Sequence, residues 1–597
     1  MAYPDTTPRN GMLPPNRVQR WRVRWSIALF ALLIAVMATT IGFFSRVHLL
    51  IAQERPVHLI IYLGIWGFSI LCLIAAAMQP NRIVRWFWAI TLSVSVAASQ
   101  FYYDISGSEI GPFDVVSLYQ ASHEAGRAFD QYAQAAGWPL LIFVFSIAAI
   151  LAWPASHRPL VRRAATAFCW VPVLPMLVIG GIVVLKEGGG SQGMPQHFAP
   201  IAVSAVTLGK IMTQHAQTRE TEAPAPANPP AVRNIVFLVD ESIRGDYIDW
   251  RPGNPFTPEM AARADRFIDF GPAASGGNCS HYSNALLRLG GARNDIIGSV
   301  TTNATIWKYA KAAGYRTVFI DAQAPVNKNA SRLQNFMTVS ETSDIDRVVM
   351  FDDVPVPQLD FELLKVVEEE LAGPVPVFIY ANKNGAHFPY DHGYPEAETK
   401  FHPTDTENGV SSTPTLINSY RNNIRWSVDR FFGKLLDEND FRDTLVMYTS
   451  DHGQNFQTGR LSHCTVEDPD PREGLVPLMA ITGHPGLHAL LEAAAVRNHA
   501  RASHFQIVPT LLELMGESAA TITASHGPSL FDKASQEPGF TSGDIFGLFN
   551  DEVRWTPIDL GKDYLEPEAR GMGMNMAAVP AEKEPVRTFQ SVFRISV

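Results

Sequence analysis

Cysteine is scarce: the chain has four in 597 residues, which excludes a domain held together by a dense disulfide framework. Basic blocks are missing too. The net charge is −10 and no Lys/Arg-rich run occurs in the soluble part, so nucleic acid is not an expected partner. No internal repeat is visible. What the chain does have is an uneven distribution of apolar residues. Residues 1–186 hold long apolar runs and the remainder reads as soluble α/β protein, so the near-average hydrophobicity blends two unlike parts. The length predicts several domains.

Five apolar stretches read as membrane helices: 26–45, 57–78, 83–100, 138–153 and 168–185. Most approach the ~20 residues that span a bilayer. Arg9, Arg17, Arg20, Arg22 and Arg24 precede the first stretch. Arg82 and Arg85 lie in the second-to-third turn, and Arg158, Arg162 and Arg163 in the fourth-to-fifth. The loop 101–137 is instead acidic, with Arg127 its only Lys or Arg. The positive-inside rule then puts the tail and both Arg-bearing turns in the cytoplasm. Five spans leave everything after Lys186 outside. In a bacterium the spans would sit in the inner membrane and the rest in the periplasm. The first span lies behind 25 residues without a clear small-residue cleavage signature, so it reads as a retained anchor.

Beyond the spans, 188–190 is Gly-rich and 194–217 has the mixed character of an amphipathic surface helix. Residues 220–230 (ETEAPAPANPP) read as a solvated linker. From Arg233 the pattern changes. NIVFLV at 234–239 is a run suited to a strand buried on both faces of a parallel sheet, and similar runs recur at 317–320, 375–380 and 444–448. Helical patterns fall at 305–313, 359–371, 416–438 and 505–515. The alternation predicts one large doubly wound α/β domain, with chemistry at the carboxyl ends of its strands. The expected division is a transmembrane domain (1–187), a juxtamembrane segment and linker (188–232) and a catalytic domain (233–597).

Several of these strands end in residues able to bind a metal. The first runs into Asp240-Glu241-Ser242, another into Asn384-Gly385-Ala386-His387, and a third into Asp451-His452, with His463 eleven residues on. Carboxylates mixed with imidazoles suit Zn²⁺; the imidazoles disfavour Mn²⁺ and Mg²⁺. The segment Gly276-Gly277-Asn278-Cys279-Ser280-His281-Tyr282-Ser283 offers a hydroxyl on a glycine-freed loop, and a divalent cation is one way to activate a serine. On composition alone that segment is equally an ordinary flexible loop.

These motifs, over nearly the whole chain, resemble the alkaline-phosphatase/sulfatase superfamily, and within it the membrane phosphoethanolamine transferases that modify lipid A. NIVFLVDESIRGDY (234–247) resembles the family's first strand, whose metal-binding Glu falls on Glu241 and is followed by Ser242 and Arg244. Ser280 with Ser283 fits the spacing of the family nucleophile and a later serine. Ala386-His387-Phe388-Pro389-Tyr390 resembles the segment that supplies a substrate-side or second-metal His. Ser450-Asp451-His452-Gly453 and Ser462-His463-Cys464 resemble the remaining ligand segments. The loop 113–132 is similar to the family's external segment between the third and fourth spans.

The resemblance implies five spans, a periplasmic sulfatase-like domain, and one or two zinc ions on Glu241, Ser280, Asp451, His452 and His463. It implies Ser280 as nucleophile, with His387 and His463 aiding catalysis. Phosphoethanolamine would pass from phosphatidylethanolamine, through a covalent Ser280 adduct, to a lipid A-like or other glycolipid or glycan acceptor. A phosphoglycerol transferase acting on a glycan and a sulfatase-type hydrolase are the alternatives. Against the hydrolase, Cys279–Ser283 lacks the Pro and Arg of the formylglycine motif. The chain departs from the family in using Ser for the usual Thr, in Gln454-Asn455 after Asp-His-Gly, and in having only two cysteines outside the spans. Those two, Cys279 and Cys464, each adjoin an expected site residue, so they form either a disulfide across the site or two buried thiols.

Overall fold

The computed structural model describes residues 17–40, 42–153, 159–213, 223–325, 335–409, 411–457, 460–549 and 553–570. Arg9 and Arg158, residues 214–222 of the expected surface helix and linker, and 571–597 lie outside them.

Helices come first: α1 (Arg17–Thr40), α2 (Phe43–Ala52), α3 (Pro56–Ala77), α4 (Arg82–Ser106), α5 (Pro112–Gln120), α6 (Ala125–Tyr132), α7 (Gly137–Leu151), α8 (Pro159–Ala167), α9 (Val173–Leu185) and α10 (Ala199–Thr213). Every expected apolar stretch is occupied by one or two of them. Fewer than five qualify as spans, however. α3 and the segment Ala133–Leu151 containing α7 are long and apolar enough. α1 and α2 qualify only as a pair, bent by 55°. Among the described residues the count is therefore two, or three if the bent pair is one span. The shortfall has physical causes. α4 carries Arg82, Arg85 and Asp104 and turns Ser93, Ser95, Ser99 and Gln100 into the protein, while α9 has 13 residues.

The outer faces of the qualifying helices are apolar and uncovered: Ile60 is 71% exposed, Leu71 64% and Leu141 62%. Such a continuous apolar surface suits hydrocarbon and not water. The helix expected at 194–217 is the shorter α10, which packs on α9 and α5 through Ala202, Val203 and Thr207.

The soluble part is built on a seven-stranded sheet. Its strands are β1 (Asn234–Asp240), β2 (Ile268–Ala274), β3 (Arg316–Pro325), β4 (Arg347–Phe351), β5 (Val377–Asn382), β6 (Thr444–Ser450) and β7 (Leu475–Thr482), in the order β2-β7-β6-β1-β5-β3-β4. β6, β1, β5, β3 and β4 run parallel, and β7 is antiparallel to its neighbours. Alternate residues of β1 enter separate cores. Ile235, Phe237 and Val239 pack with Trp307, Tyr380 and Met447 on one face, while Val236 and Leu238 pack with Ile379, Phe432 and Val446 on the other. That two-sided burial is why β1 reads as a continuous apolar run. The pairings Val239↔Asn382 and Asp240↔Ser450 level the ends of β5, β1 and β6 at one edge.

The C-terminal region adds a small pair, β8 (Gly539–Thr541) with β9 (Trp555–Pro557). β8 braces the loop before Ser280. Thr541 N donates to Gly276 O at 3.0 Å, and Asn278 N donates to Thr541 O at 3.3 Å.

Candidate active site

The levelled strand ends deliver Glu241 after β1 and Asp451-His452 after β6. All three are buried, and one ligand atom from each lies within 4.8 Å of the others. Ser242 orients Glu241. Its backbone is left-handed at φ +64°, a conformation that costs a non-glycine residue of order 1–3 kcal/mol. Its N–H donates to Asp451 Oδ1 (3.1 Å) and its hydroxyl to Glu241 Oε1 (2.6 Å). His452 Nδ1 donates to Gly453 O at 2.8 Å. The other ring nitrogen is thereby turned toward Glu241 Oε1 (3.3 Å) and Asp451 Oδ2 (3.7 Å). Arg244, next along from Ser242, turns away and is buried against Asp246 and Glu566.

Ser280 is the first residue of the helix Ser280–Leu289. Its Oγ is 3.1 Å from both Glu241 Oε2 and His452 Nε2. The helix N-terminus adds partial positive charge there, which favours a developing alkoxide and an incoming phosphate. Ser283, which the resemblance paired with Ser280, holds the loop. Its Oγ donates to Gly277 O (2.8 Å) and accepts from Gly277 N (3.1 Å). Tyr380 OH fixes Asn284, which in turn donates to Ser280 O at 3.1 Å.

His463 stacks on His452, with ring centroids 4.2 Å apart and planes 20° from parallel. His387 follows β5 with Nδ1 2.7 Å from Phe388 O, and the Phe388 ring centroid lies 4.9 Å from that of His387 and 6.0 Å from that of His463. The structure thus gathers Glu241, Ser280, Asp451 and His452 tightly, with His463 stacked on that group and His387 beside Phe388. Cys279 and Cys464 are joined as a disulfide.

The electrostatics fit a cation. Burial works against the Glu241 carboxylate, but the imidazoles of His452, His387 and His463 outweigh it and hold it well below the usual range. Burial and the Glu241 charge push the Asp451 carboxyl far up. Burial also opposes charge on His452, yet Asp451 and Glu241 raise it to about 9. Asp451 and His452 thus favour their protonated forms beside an ionised Glu241, the positions a cation's charge could take over. Asp451 Oδ2 is buried with no hydrogen-bond partner among the described residues. An orphaned carboxylate oxygen facing a carboxylate, an imidazole nitrogen and a hydroxyl is a donor set suited to a divalent metal.

Sequence reasoning missed the layer beneath. Lys383 is fully buried, 2.5 Å from Asp240 Oδ2 and 3.6 Å from Asp360 Oδ2, and it donates to Ser427 O. Asp360 in turn accepts from the N–H groups of Asn384 and Gly385, the turn leading to His387. Asn278 and Glu473 form a second brace. Asn278 Nδ2 donates to Glu473 Oε2 and to Thr465 O, each at 2.8 Å. In sequence, Glu473 sits in a charged, Pro-rich stretch that carries no such signal.

The site opens into a cavity of about 480 Å³ between the soluble part and α4–α6. Phe101, Ile105, Leu118 and Phe129 give it an apolar wall, and Ser280 and His463 also line it.

Residues 233–517 match the sulfatase family. The chain is similar in structure to the integral membrane protein lipooligosaccharide phosphoethanolamine transferase A (EptA) from Neisseria meningitidis. The TM-score is 0.56 at 18% identity, covering 82% of this chain and 95% of that one. It is also similar to the C-terminal periplasmic domain of EptC from Escherichia coli (TM-score 0.42, 17% identity, 55% and 94% covered) and to the Zn complex of that domain (0.42, 16%, 55% and 94%). At these identities the likeness is one of fold. No curated protein matches the chain.

Proposed function

We propose that this chain, whose residues 233–517 match the sulfatase family, transfers phosphoethanolamine from a phospholipid to a glycolipid or glycan acceptor. The observation that carries this reading is a poised serine lining a largely apolar cavity. Ser280 Oγ lies 3.1 Å from Glu241 and from His452, and residues of α4–α6 line the same cavity. A soluble ester would gain nothing from that lining; a phosphodiester carrying acyl chains would.

Glu241, Asp451 and His452, with Ser280 as a further ligand, would hold zinc, one ion or two. When bound, the metal lowers the pKa of the serine hydroxyl and offsets charge on phosphate oxygens. Ser280 Oγ attacks phosphorus: the Oγ–P bond forms, the bond from phosphorus to the glycerol oxygen breaks, and diacylglycerol leaves protonated. Phosphoethanolamine is then esterified to Ser280. An acceptor hydroxyl or phosphate oxygen displaces Ser280 Oγ in a second, matching step. His387 and His463 hydrogen-bond the non-bridging oxygens and hold the proton required by the leaving group. On this reading the apolar helices keep the chain in a bacterial inner membrane, with the sulfatase-family domain on the periplasmic side.

The test is the intact mass of the full-length protein from a phosphatidylethanolamine-containing bacterium, with peptide mapping around Ser280. A phosphoethanolamine adduct on Ser280, absent from Ser280→Ala, is expected. A phosphoglycerol adduct would replace the donor assignment, and normal transfer by Ser280→Ala would end the covalent mechanism.

A further inference from the structure

Two cysteines that lie 185 residues apart meet beside the candidate site. Cys279 immediately precedes Ser280 and caps its helix, and Cys464 immediately follows His463. The link therefore runs from the nucleophile's neighbour to the neighbour of the histidine stacked on His452. Both cysteines line the cavity, so the bond faces the space proposed for substrate.

The surroundings show what the link has to hold. Cys464 is left-handed at φ +62°, a conformation a non-glycine residue keeps only when its neighbours impose it. Besides the disulfide, the two segments are paired by Cys464 N donating to Asn278 O and Asn278 Nδ2 donating to Thr465 O, each at 2.8 Å. His281 follows on the nucleophile side, with Nδ1 3.3 Å from Cys279 Sγ and Nε2 3.4 Å from Ser117 Oγ on α5. The His463 segment has its own anchors, Asn455 N to Ser462 O at 2.7 Å and Thr465 N to Glu473 Oε2 at 3.1 Å. Those tie it to itself and to the segment before β7. The Asn278 pairing, the Glu473 carboxylate that Asn278 and Thr465 share, and the covalent bond tie it to the nucleophile loop, and the covalent bond alone joins the residues adjoining Ser280 and His463 directly.

We infer that the Cys279–Cys464 disulfide is a positioning element that fixes His463 against Ser280, so that transfer depends on the bond being closed. The inference rests on the proposed roles of Ser280 and His463. Opening the bond takes two electrons and two protons from a reductant such as a dithiol, which is itself oxidised to a disulfide, and leaves Cys279 and Cys464 as thiols. In a reducing compartment the chain would carry its metal ligands correctly placed and His463 released. In an oxidising one the site is complete.

The experiment compares oxidised full-length protein, the same protein after tris(2-carboxyethyl)phosphine, and Cys279→Ala/Cys464→Ala. All are assayed in phosphatidylethanolamine vesicles well below their unfolding temperatures. Hydrogen exchange is read on peptides spanning 276–283 and 455–465, alongside kcat, KM and bound zinc. The expected result is a kcat loss of tenfold or more, with KM and zinc content near those of the oxidised protein. Exchange should be at least tenfold faster in both peptides, with β1 and β6 unchanged, and re-oxidation should restore the reduced protein but not the variant. Unchanged exchange, or unchanged kcat in a folded, opened protein, would overturn the inference and leave the bond a plain stabilising cross-link. If the oxidised protein transfers nothing and Ser280 carries no adduct, yet exchange responds as stated, the proposed reaction has failed and the positioning role has not.

Discussion

At the scale of single residues, the cluster of Glu241, Asp451 and His452 makes a definite statement about protons. In the metal-free protein His452 is raised to about 9 by its two carboxylate neighbours. A folded-state value above the unfolded value of about 6.5 means that this group stabilises the fold fully below about pH 6.5. That contribution is lost as pH rises through about 9. The metal-free protein is thus expected to lose thermal stability between those values, and the metal-loaded protein to lose much less, since the cation takes the proton's place. Melting curves at a series of pH values, with and without chelator, check this; parallel curves would contradict it. A related expectation is that metal binding near pH 7.5 releases at least about one proton per ion, measurable by calorimetry in buffers of differing ionisation enthalpy. Glu241→Gln and Asp451→Asn should each lower metal affinity by at least about tenfold and abolish the Ser280 adduct.

At the scale of elements, the site depends on three parallel strands ending level, and the buried Lys383 holds those ends together. Lys383 pairs with Asp240 at the base of Glu241 and approaches Asp360, which fixes the turn before His387. Replacing it with Met leaves the Asp240 carboxylate buried without its cation. That is expected to destabilise the protein by roughly 3–5 kcal/mol, read by denaturant unfolding. A Lys383→Met protein as stable as the parent would show that the strand ends are held by other means. Gly385 is constrained more simply. At φ +50°, an added Cβ would lie 2.2 Å from Asp240 Oδ1 and 2.7 Å from Glu241 O, so Gly385→Ala should be destabilising and weaken metal binding.

The sequence made part of this legible. β1, β3, β5 and β6 are buried on both faces and so appear as apolar runs, and Glu241, Asp451 and His452 sit just beyond two of them. β2 and β7 were hidden because Gly271, Pro272 and Pro477 interrupt them, and β4 because it is a partly exposed edge strand. The helix expected at 416–438 is three pieces, Thr413–Ile424, a π-helical Arg425–Arg430 and Phe431–Glu438, and the π segment supplies the Ser427 carbonyl that Lys383 uses. Neither that carbonyl nor the Asp240–Lys383 pair has a periodic signature. The pair exists only once β1 and β5 are adjacent.

At the scale of the whole molecule, the helical part is a wall of the site and, on the proposed reading, an anchor as well. Ser117 Oγ lies 3.4 Å from His281 Nε2, and the Tyr132 ring lies 6.4 Å from Phe388. Lys210 of α10 donates to Leu548 O at 2.8 Å, so the two parts also meet away from the site. If the cavity receives the glycerol and acyl portion of a lipid donor, damage to its apolar wall should be felt by lipid donors alone. Phe129 suits this test because it lines the cavity, lies on α6 far in sequence from every candidate ligand, and is 60% exposed, so its replacement removes little packing. Burying an aromatic ring against a lipid chain is worth ~1.5–3 kcal/mol, which is roughly a tenfold to hundredfold effect. Phe129→Asp should therefore lower kcat/KM for diacyl phosphatidylethanolamine in vesicles by about that factor, chiefly through KM. Turnover of a short-chain, water-soluble phosphodiester of ethanolamine should stay within about twofold of the parent, because Ser280, His452 and the metal ligands are untouched. Equal loss on both donors would mean that α6 supports the catalytic residues and not the lipid. No loss on either would place the acyl chains outside this cavity and leave the helices as an anchor only.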